Sequence, residues 1–177
     1  MNKTFIENRL KNALKRLYYF DHVIISNNSH ERSITHRLAI HLGEVFYEGW
    51  DIDVEYNRNL GDTKKIDVIN KLVKGLKGKI DNNEDIISGR RSVYPDIIVH
   101  RRNFAENLLV VEVKKMNVSE QLEQYDIDKL KAYITEETLK YQYAAFIKIG
   151  DPENNPKFDY KVISRDEWLT QGELNFG

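Results

Sequence analysis

The stretch YPDIIVHRRNFAENLLVVEVKK, from Tyr94 to Lys115, decides the fold of this chain. It holds two apolar runs, IIV and LLVVEV, which are long enough for strands and are joined by a short polar turn. Asp96 starts the first run, and Glu112 and Lys114 lie near the end of the second. Because buried charges cost free energy unless they are paired or bind a metal, these three residues either lie at a surface or form a site.

The alternation of side chains along a strand predicts where those charges lie. Successive side chains point to opposite faces, so Glu112 and Lys114 share the face of Leu108 and Val110. Both faces are apolar before the charges appear, which predicts a central strand that is covered on both sides. In an antiparallel hairpin the start of the first strand lies beside the end of the second. We therefore expect Asp96 to converge with Glu112 and Lys114 at one end of the sheet.

The rest of the chain alternates between helical and strand patterns. Helices are predicted over residues 3–19, from about Asn28 to Val45, over 120–134 and after Ser164. Three pairs have capping-box spacing: Thr4 with Glu7, Asn28 with Glu31, and Ser164 with Glu167. Strands are predicted over residues 51–57, 96–100, 108–114, 143–149 and 161–163. The order predicts a single α/β domain over residues 1–177, with a mixed central sheet flanked by helices.

The segment at about residues 59–92 interrupts this rhythm and is predicted to be an insertion between two strands. Basic residues concentrate there and in the hairpin turn, although a solvated lysine-rich helix is an equally open explanation. Some of them are candidates for contacts with nucleic-acid phosphates, namely Lys71, Lys74, Lys77, Arg90, Arg91, Arg101, Arg102 and, further along the chain, Lys129.

Composition limits the classes of function. The chain has 177 residues, of which 41% are hydrophobic, so it is long enough for one domain with a sizeable core. Its net charge of −1 gives no general signal for binding polyanions. The absence of cysteine excludes disulfides, cysteine-ligated zinc and a cysteine nucleophile. No apolar run approaches the length of a membrane span, and the N-terminal helix is too charged for a signal peptide, which predicts a cytoplasmic protein with no membrane partner.

Two carboxylates and a lysine at one end of a sheet have a clear chemical use. Mg²⁺ prefers oxygen ligands and binds through one or two carboxylates plus substrate phosphate. A lysine beside such an ion can orient a water molecule, deprotonate it, or offset charge on phosphorus. The alternatives are structural: Asp96 as a turn residue after Pro95, and Glu112 with Lys114 as a solvated pair.

Pro95-Asp96, followed by Glu112-Val113-Lys114, resembles the signature of the PD-(D/E)XK nuclease superfamily, which has the restriction-endonuclease-like fold. The resemblance covers about residues 28–149 and implies a core of α-β-β-β-α-β order. It implies that Asp96, Glu112 and the backbone carbonyl of Val113 bind Mg²⁺ or Mn²⁺, and that Lys114 assists hydrolysis.

Glu31 fits the place of a further carboxylate that many members of the superfamily carry on the preceding helix, although its capping-box spacing gives it a purely structural alternative. Asp126 and Lys129 lie three apart on a predicted helix, where a simple ion pair is the favoured interpretation.

The resemblance implies a metal-dependent nuclease that acts on DNA. RNA stays open as a substrate, and a homodimer stays open because cutting both strands requires two sites. The alternative is a non-catalytic module on the same fold that binds nucleic acid or another protein. A third interpretation is a structural subunit whose charges form surface salt bridges.

Overall fold

A computed structural model describes residues 1–27, 29–47, 49–55, 58–59, 62–63, 65–67, 90–92 and 94–171 of the chain. Between residues 58 and 92 only the backbone of short strands is described. Most of the predicted insertion at about 59–92 therefore lies outside the described residues, together with Lys71, Lys74 and Lys77.

Nine strands are described, and five of them form one mixed sheet. They are β1 (Asp51–Val54), β2 (Arg58–Asn59), β3 (Asp62–Thr63), β4 (Lys65–Asp67), β5 (Arg90–Ser92), β6 (Ile97–Arg101), β7 (Glu106–Lys115), β8 (Tyr143–Ile149) and β9 (Phe158–Ser164). The sheet order is β1-β6-β7-β8-β9, and every neighbouring pair is antiparallel except β7 and β8. The predicted α/β class with a mixed sheet is confirmed, and β7 is its central strand.

Helices cover both faces of this sheet. They are α1 (Lys3–Phe20), α2 (His22–Ser26), α3 (Glu31–Val45), α4 (Glu120–Thr135) and α5 (Arg165–Gln171). The apolar stripes of α1 and α3 pack on one face, against Val99, Val111 and Ile147. The stripe of α4 packs on the other face, against Ile98 and Val110. The crossover from β7 through α4 to β8 explains why only that pair of strands is parallel.

Several predicted boundaries are corrected. The N-cap of α1 is Asn2, whose side chain accepts a hydrogen bond from Phe5 N at 2.9 Å, and not Thr4, which lies inside the helix. The first strand ends at Val54, where Glu55 turns the chain with a φ of 51°. The predicted edge strand over 161–163 is longer, because its pairing with β8 runs along Phe158–Ser164. The capping box of Ser164 and Glu167 is confirmed, with reciprocal bonds of 3.1 and 3.0 Å.

A buried histidine joins β1 to β6. His100 Nε2 lies 2.8 Å from Asp53 Oδ2, and Arg102 Nε donates to the same oxygen at 2.9 Å. Burial raises the pKa of Asp53, but the hydrogen bonds from Arg102 and His100 outweigh burial and hold that pKa below its usual range. The cluster therefore stabilises the edge of the sheet only while Asp53 is ionised.

We expect Asp53→Asn to lower the free energy of unfolding by about 1 kcal/mol at pH 7, the upper range for a half-exposed ion pair. A depressed carboxyl pKa stabilises the fold above the unfolded pKa of about 3.9, and this stabilisation is lost as the pH falls through the folded value. Urea unfolding at pH 7 and pH 3 should show the variant approaching wild type in acid. Glu137→Gln, at an exposed position, is the control. An equal loss at both pH values would contradict the ionic role.

Candidate functional site

The hairpin of β6 and β7 brings the two predicted metal ligands together. Ile97 pairs with Val111, so Asp96 lies across the hairpin from Glu112. Ile98 and Val110, the next residues on the same face, both belong to the core beneath α4. The convergence expected from strand alternation is therefore present at this end of the sheet.

Asp96 is fixed in place by the neighbouring strand. Its Oδ2 accepts a hydrogen bond of 2.8 Å from the backbone N–H of Val113. Asp96 precedes Ile97, the first residue of β6. Its side-chain oxygen therefore extends the hydrogen bonding between β6 and β7 by one residue. The side chain is held on the face that it shares with Glu112.

Glu112 is fully buried, with 0% of its surface exposed. Lys129 of α4 places its Nζ 2.7 Å from Glu112 Oε2, in ion-pair contact. Lys129 thus faces Oε2, whereas Oε1 of Glu112 has no hydrogen-bond partner among the described residues. A buried carboxylate in this position depends on a nearby cation for its charge.

Asp126 links the two lysines of the site. Its Oδ1 lies 3.3 Å from Lys129 Nζ, and its Oδ2 lies 3.2 Å from Lys114 Nζ. Lys114 Nζ in turn donates a 2.7 Å hydrogen bond to Glu31 Oε1 on α3. A continuous set of charges therefore runs from α3 across β7 to α4. We refer to Glu31, Asp96, Glu112, Lys114, Asp126 and Lys129 together as the charge network.

Burial and charge shift the pKa values of the charge network. Burial raises the pKa of Glu112 well above its usual range, and Asp96 and Asp126 add to the rise against the opposing charge of Lys129. Burial also raises the pKa of Asp96. Burial alone would lower the pKa values of Lys114 and Lys129, but the neighbouring carboxylates outweigh it and raise both. Both lysines are therefore ammonium ions at neutral pH.

The donor chemistry of this site fits a hard cation. Oε1 of Glu112 is a buried acceptor without a hydrogen-bond partner in the described part of the chain, and Oε2 of Glu112 and Oδ2 of Asp126 face only lysine ammonium groups. Carboxylate oxygens are the ligands that Mg²⁺ and Mn²⁺ prefer. The lysines lie between the carboxylates, and no group of three His, Asp or Glu side chains within the described ranges is close enough to hold a metal. A cation at Glu112 would therefore compete with Lys129 for Oε2.

Two substitutions separate the structural role of Asp96 from its charge. Asp96→Ala leaves the Val113 N–H without its acceptor, so we expect a loss of about 1–3 kcal/mol in the free energy of unfolding. Asp96→Asn keeps an acceptor oxygen and removes a charge that repels Glu112, so its stability should equal or exceed that of wild type. Urea unfolding compares the two, and an asparagine variant as unstable as the alanine variant would contradict this account.

The candidate phosphate-binding residues are dispersed. Arg101 stacks on Trp50 with its guanidinium carbon 5.0 Å from the ring centroid, and Arg102 binds Asp53. Arg101 ends β6 and Arg102 follows it, about 17–20 Å along the strand from Asp96. Arg90 and Arg91 belong to β5, for which only the backbone is described. Among the candidates whose side chains the structure describes, Lys129 alone lies within the charge network.

Sequence reasoning underestimated α4. Asp126 and Lys129 do form the i, i+3 ion pair, but they also bind Lys114 and Glu112 on β7. The sequence did contain a signal that Asp126 is buried. Asp126 precedes Leu130 by four residues and Tyr133 by seven, which places it on the apolar stripe of α4. A charged residue on the buried stripe of a helix needs a partner on the facing element.

Comparison with protein-family models, with curated proteins and with solved structures finds no match for this chain. None of the helices that the structure describes has the length and apolar character needed to cross a membrane. The geometry of the charge network is therefore the basis for assigning a function.

Proposed function

We propose that this chain is a metal-dependent nuclease that hydrolyses phosphodiester bonds of DNA, with Mg²⁺ or Mn²⁺ as its cofactor. The observation that carries the proposal is the position of Asp96 opposite Glu112, on the same face of the sheet, with two lysine ammonium groups beside them. Buried carboxylates beside fixed ammonium groups are the elements that phosphodiester hydrolysis requires.

We also propose that the fold is the restriction-endonuclease-like fold of the PD-(D/E)XK superfamily. Its supporting features are the order of the elements and the strand directions. Helix α3 precedes the antiparallel strands β1, β6 and β7, and α4 then crosses to the parallel strand β8. This is the order α-β-β-β-α-β that the resemblance implies.

In this proposal the metal is held by Asp96, Glu112 and the Val113 carbonyl, with Glu31 of α3 as a further carboxylate. A bound metal lowers the pKa of a water molecule and offsets negative charge on the phosphodiester. Asp96 is oriented in advance by the Val113 N–H, which reduces the cost of arranging the site.

Lys114 contributes positive charge beside the reacting phosphate. Its ammonium group lies between Glu31 and Asp126, and these carboxylates keep it protonated at neutral pH. A protonated lysine cannot accept a proton from water, so the role that fits this geometry is to donate hydrogen bonds and to stabilise charge in the transition state. Asp126 holds the ammonium group in place.

One observation favours the alternative, a non-catalytic binding module on the same fold. The lysines and carboxylates of the charge network satisfy one another, as they would in a purely structural set of ion pairs. The two proposals differ in their response to metal, because only the nuclease requires a divalent cation at Glu112.

We expect Mn²⁺ to raise the melting temperature of the protein and to permit nicking of supercoiled plasmid DNA. At a concentration about 100-fold above its dissociation constant, a ligand that binds only the folded state adds about 2.7 kcal/mol. For a domain of this size, that corresponds to roughly 5–10 °C. Thermal melting with Mn²⁺, Mg²⁺ or EDTA, alongside agarose gels of the plasmid, measures both effects.

The control for this experiment is Asp96→Asn, which keeps the hairpin contact but removes one carboxylate charge. It should lose most of the Mn²⁺-dependent rise in melting temperature and should not nick DNA. If wild-type protein neither melts higher with Mn²⁺ nor nicks DNA, the binding module replaces the nuclease. A single-stranded RNA of matched sequence, incubated in parallel, tests the preference for DNA.

A further inference from the structure

A cavity of about 240 Å³ lies at the same end of the sheet as the charge network. It is half open to solvent and is lined by α2, by α3 and by the segments that follow β7 and β8. Its apolar wall consists of four side chains, Ile25, Ile34, Met116 and Ile149. The cavity is smaller than the roughly 300 Å³ at which clefts for drug-sized molecules begin, so its volume suits one small planar group.

The rim of the cavity is polar. Ser26, Asn117, Asp151 and Asn154 contribute to it. Asp151 is already engaged in a turn, where its Oδ1 accepts a hydrogen bond of 2.9 Å from Glu153 N. Asn117 and Asn154 each carry a side-chain amide with a donor and an acceptor. A lining that combines an apolar wall with two amides matches a flat heterocycle that has hydrogen-bonding edges.

Two elements of the charge network continue into the lining of the cavity. Lys115 lines the cavity and directly follows Lys114, and Ile34 lies one helical turn after Glu31. Lys114 and Glu31 form an ion pair at 2.7 Å. A group that enters the cavity therefore lies beside residues that adjoin this ion pair, which holds the ammonium group that we assign to the reacting phosphate.

We propose that this cavity binds one unpaired nucleobase of the DNA substrate, an inference that rests on the proposed nuclease function and narrows its substrate class to single-stranded DNA. A base inside a duplex is stacked and paired and cannot enter the cavity without leaving the helix. A base of a single strand is free to enter, with its ring against the apolar wall and its edge at the amides.

The binding test uses the four deoxynucleosides, which lack phosphate, so that contacts with the lysines do not contribute. We expect saturable binding to wild-type protein by NMR titration, with shifts at residues that line the cavity. Asn117→Ala should weaken binding about tenfold, the effect expected for one lost hydrogen bond. Ser26→Trp, at an exposed position on the rim, should block the cavity. Asn12→Ala, at an exposed position of α1, is the matched control.

The outcomes separate this inference from the proposed function. Cleavage of plasmid without nucleoside binding by wild type would overturn the cavity assignment and leave the nuclease intact. Binding that is unaffected by Asn117→Ala and Ser26→Trp would also overturn it. Nucleoside binding that both variants weaken, without any cleavage, would support the cavity and contradict the nuclease reaction. If both proposals hold, single-stranded oligonucleotides should be cut faster than duplexes, and Ser26→Trp should remove that preference.

Discussion

Replacement of Lys129 by methionine is expected to lower the free energy of unfolding by about 4 kcal/mol at pH 7, within the range for breaking a buried ion pair. The substitution removes the ammonium group that lies 2.7 Å from Glu112 Oε2. Glu112 is fully buried and must then remain an unpaired anion or take up a proton. Protonation at pH 7 of a group whose unfolded pKa is about 4.3 costs about 4 kcal/mol, at 1.36 kcal/mol per pH unit.

The pH dependence of this loss has a definite sign. Burial raises the pKa of Glu112 and the charge of Lys129 lowers it, so the folded variant holds a proton on that carboxyl more firmly than wild type, whereas the unfolded chain releases it above about pH 4.3. The stability of the variant therefore falls more steeply than that of wild type as the pH rises from the unfolded value. The difference from wild type should shrink as the pH falls from 7 to 5. Urea unfolding at pH 5, 6 and 7 measures this slope.

Two further variants test whether charge or packing causes the loss. Lys131→Met lies on the same helix, where Lys131 Nζ is 3.4 Å from Asp128 near the surface, and it should cost about 1 kcal/mol or less. The double variant Lys129→Met with Glu112→Gln leaves no unpaired charge, so it should regain most of the stability. A double variant as unstable as Lys129→Met would assign the loss to packing.

Mn²⁺ adds an independent measurement on the same variant. Without Lys129, no ammonium group competes for Glu112 Oε2, and a divalent cation can supply the missing positive charge. We therefore expect Mn²⁺ to raise the melting temperature of Lys129→Met by more than it raises that of wild type. An equal or smaller rise would indicate that Glu112 does not bind the metal.

Much of the fold was predictable because its signals are local. The strand Tyr143–Ile149 was predicted to the residue, since its apolar run, interrupted only by Lys148, lies between Gln142 and Gly150. The capping box at Ser164 was predicted from two residue types at fixed spacing. Helix α2 was missed because five residues are too few to show helical periodicity. The cap at Asn2 was missed because Thr4 with Glu7 fits the capping-box pattern, whereas Asn2 caps the helix without a glutamate three residues later.

The site was predictable only in part, because half of it depends on tertiary packing. Alternation in the hairpin fixes the shared face of Asp96 and Glu112, which needs no knowledge of other elements. The contact between Lys129 and Glu112 depends on the rotation of α4 over the sheet, and no local pattern specifies that rotation. The sequence therefore indicated that Asp96 and Glu112 lie on one face, but not that Lys129 is the residue that contacts Glu112.

Replacement of Lys114 by alanine is expected to reduce the rate of DNA cleavage about 100- to 1000-fold and to leave Mn²⁺ binding largely intact. A preorganised charged donor contributes about 2.7–4 kcal/mol to transition-state stabilisation, and its loss lowers the rate of the reaction but not the affinity for the metal. Glu112→Gln differs, because it removes an anionic ligand and should weaken both Mn²⁺ binding and cleavage. Single-turnover cleavage of an oligonucleotide, with the Mn²⁺-dependent shift in melting temperature, separates the two effects.

The matched control for this pair is Lys148→Ala. Lys148 lies beside Lys114 in the register of β7 and β8, is similarly half-buried, and pairs with Glu123 at 2.6 Å. It has no contact with the carboxylates of the charge network in the described structure, so its loss should leave both cleavage and Mn²⁺ binding close to wild type. If Lys148→Ala reduced cleavage as much as Lys114→Ala, the effect would belong to positive charge at this end of the sheet in general. A loss confined to Lys114→Ala, with Mn²⁺ still bound, would assign the effect to the ammonium group held between Glu31 and Asp126.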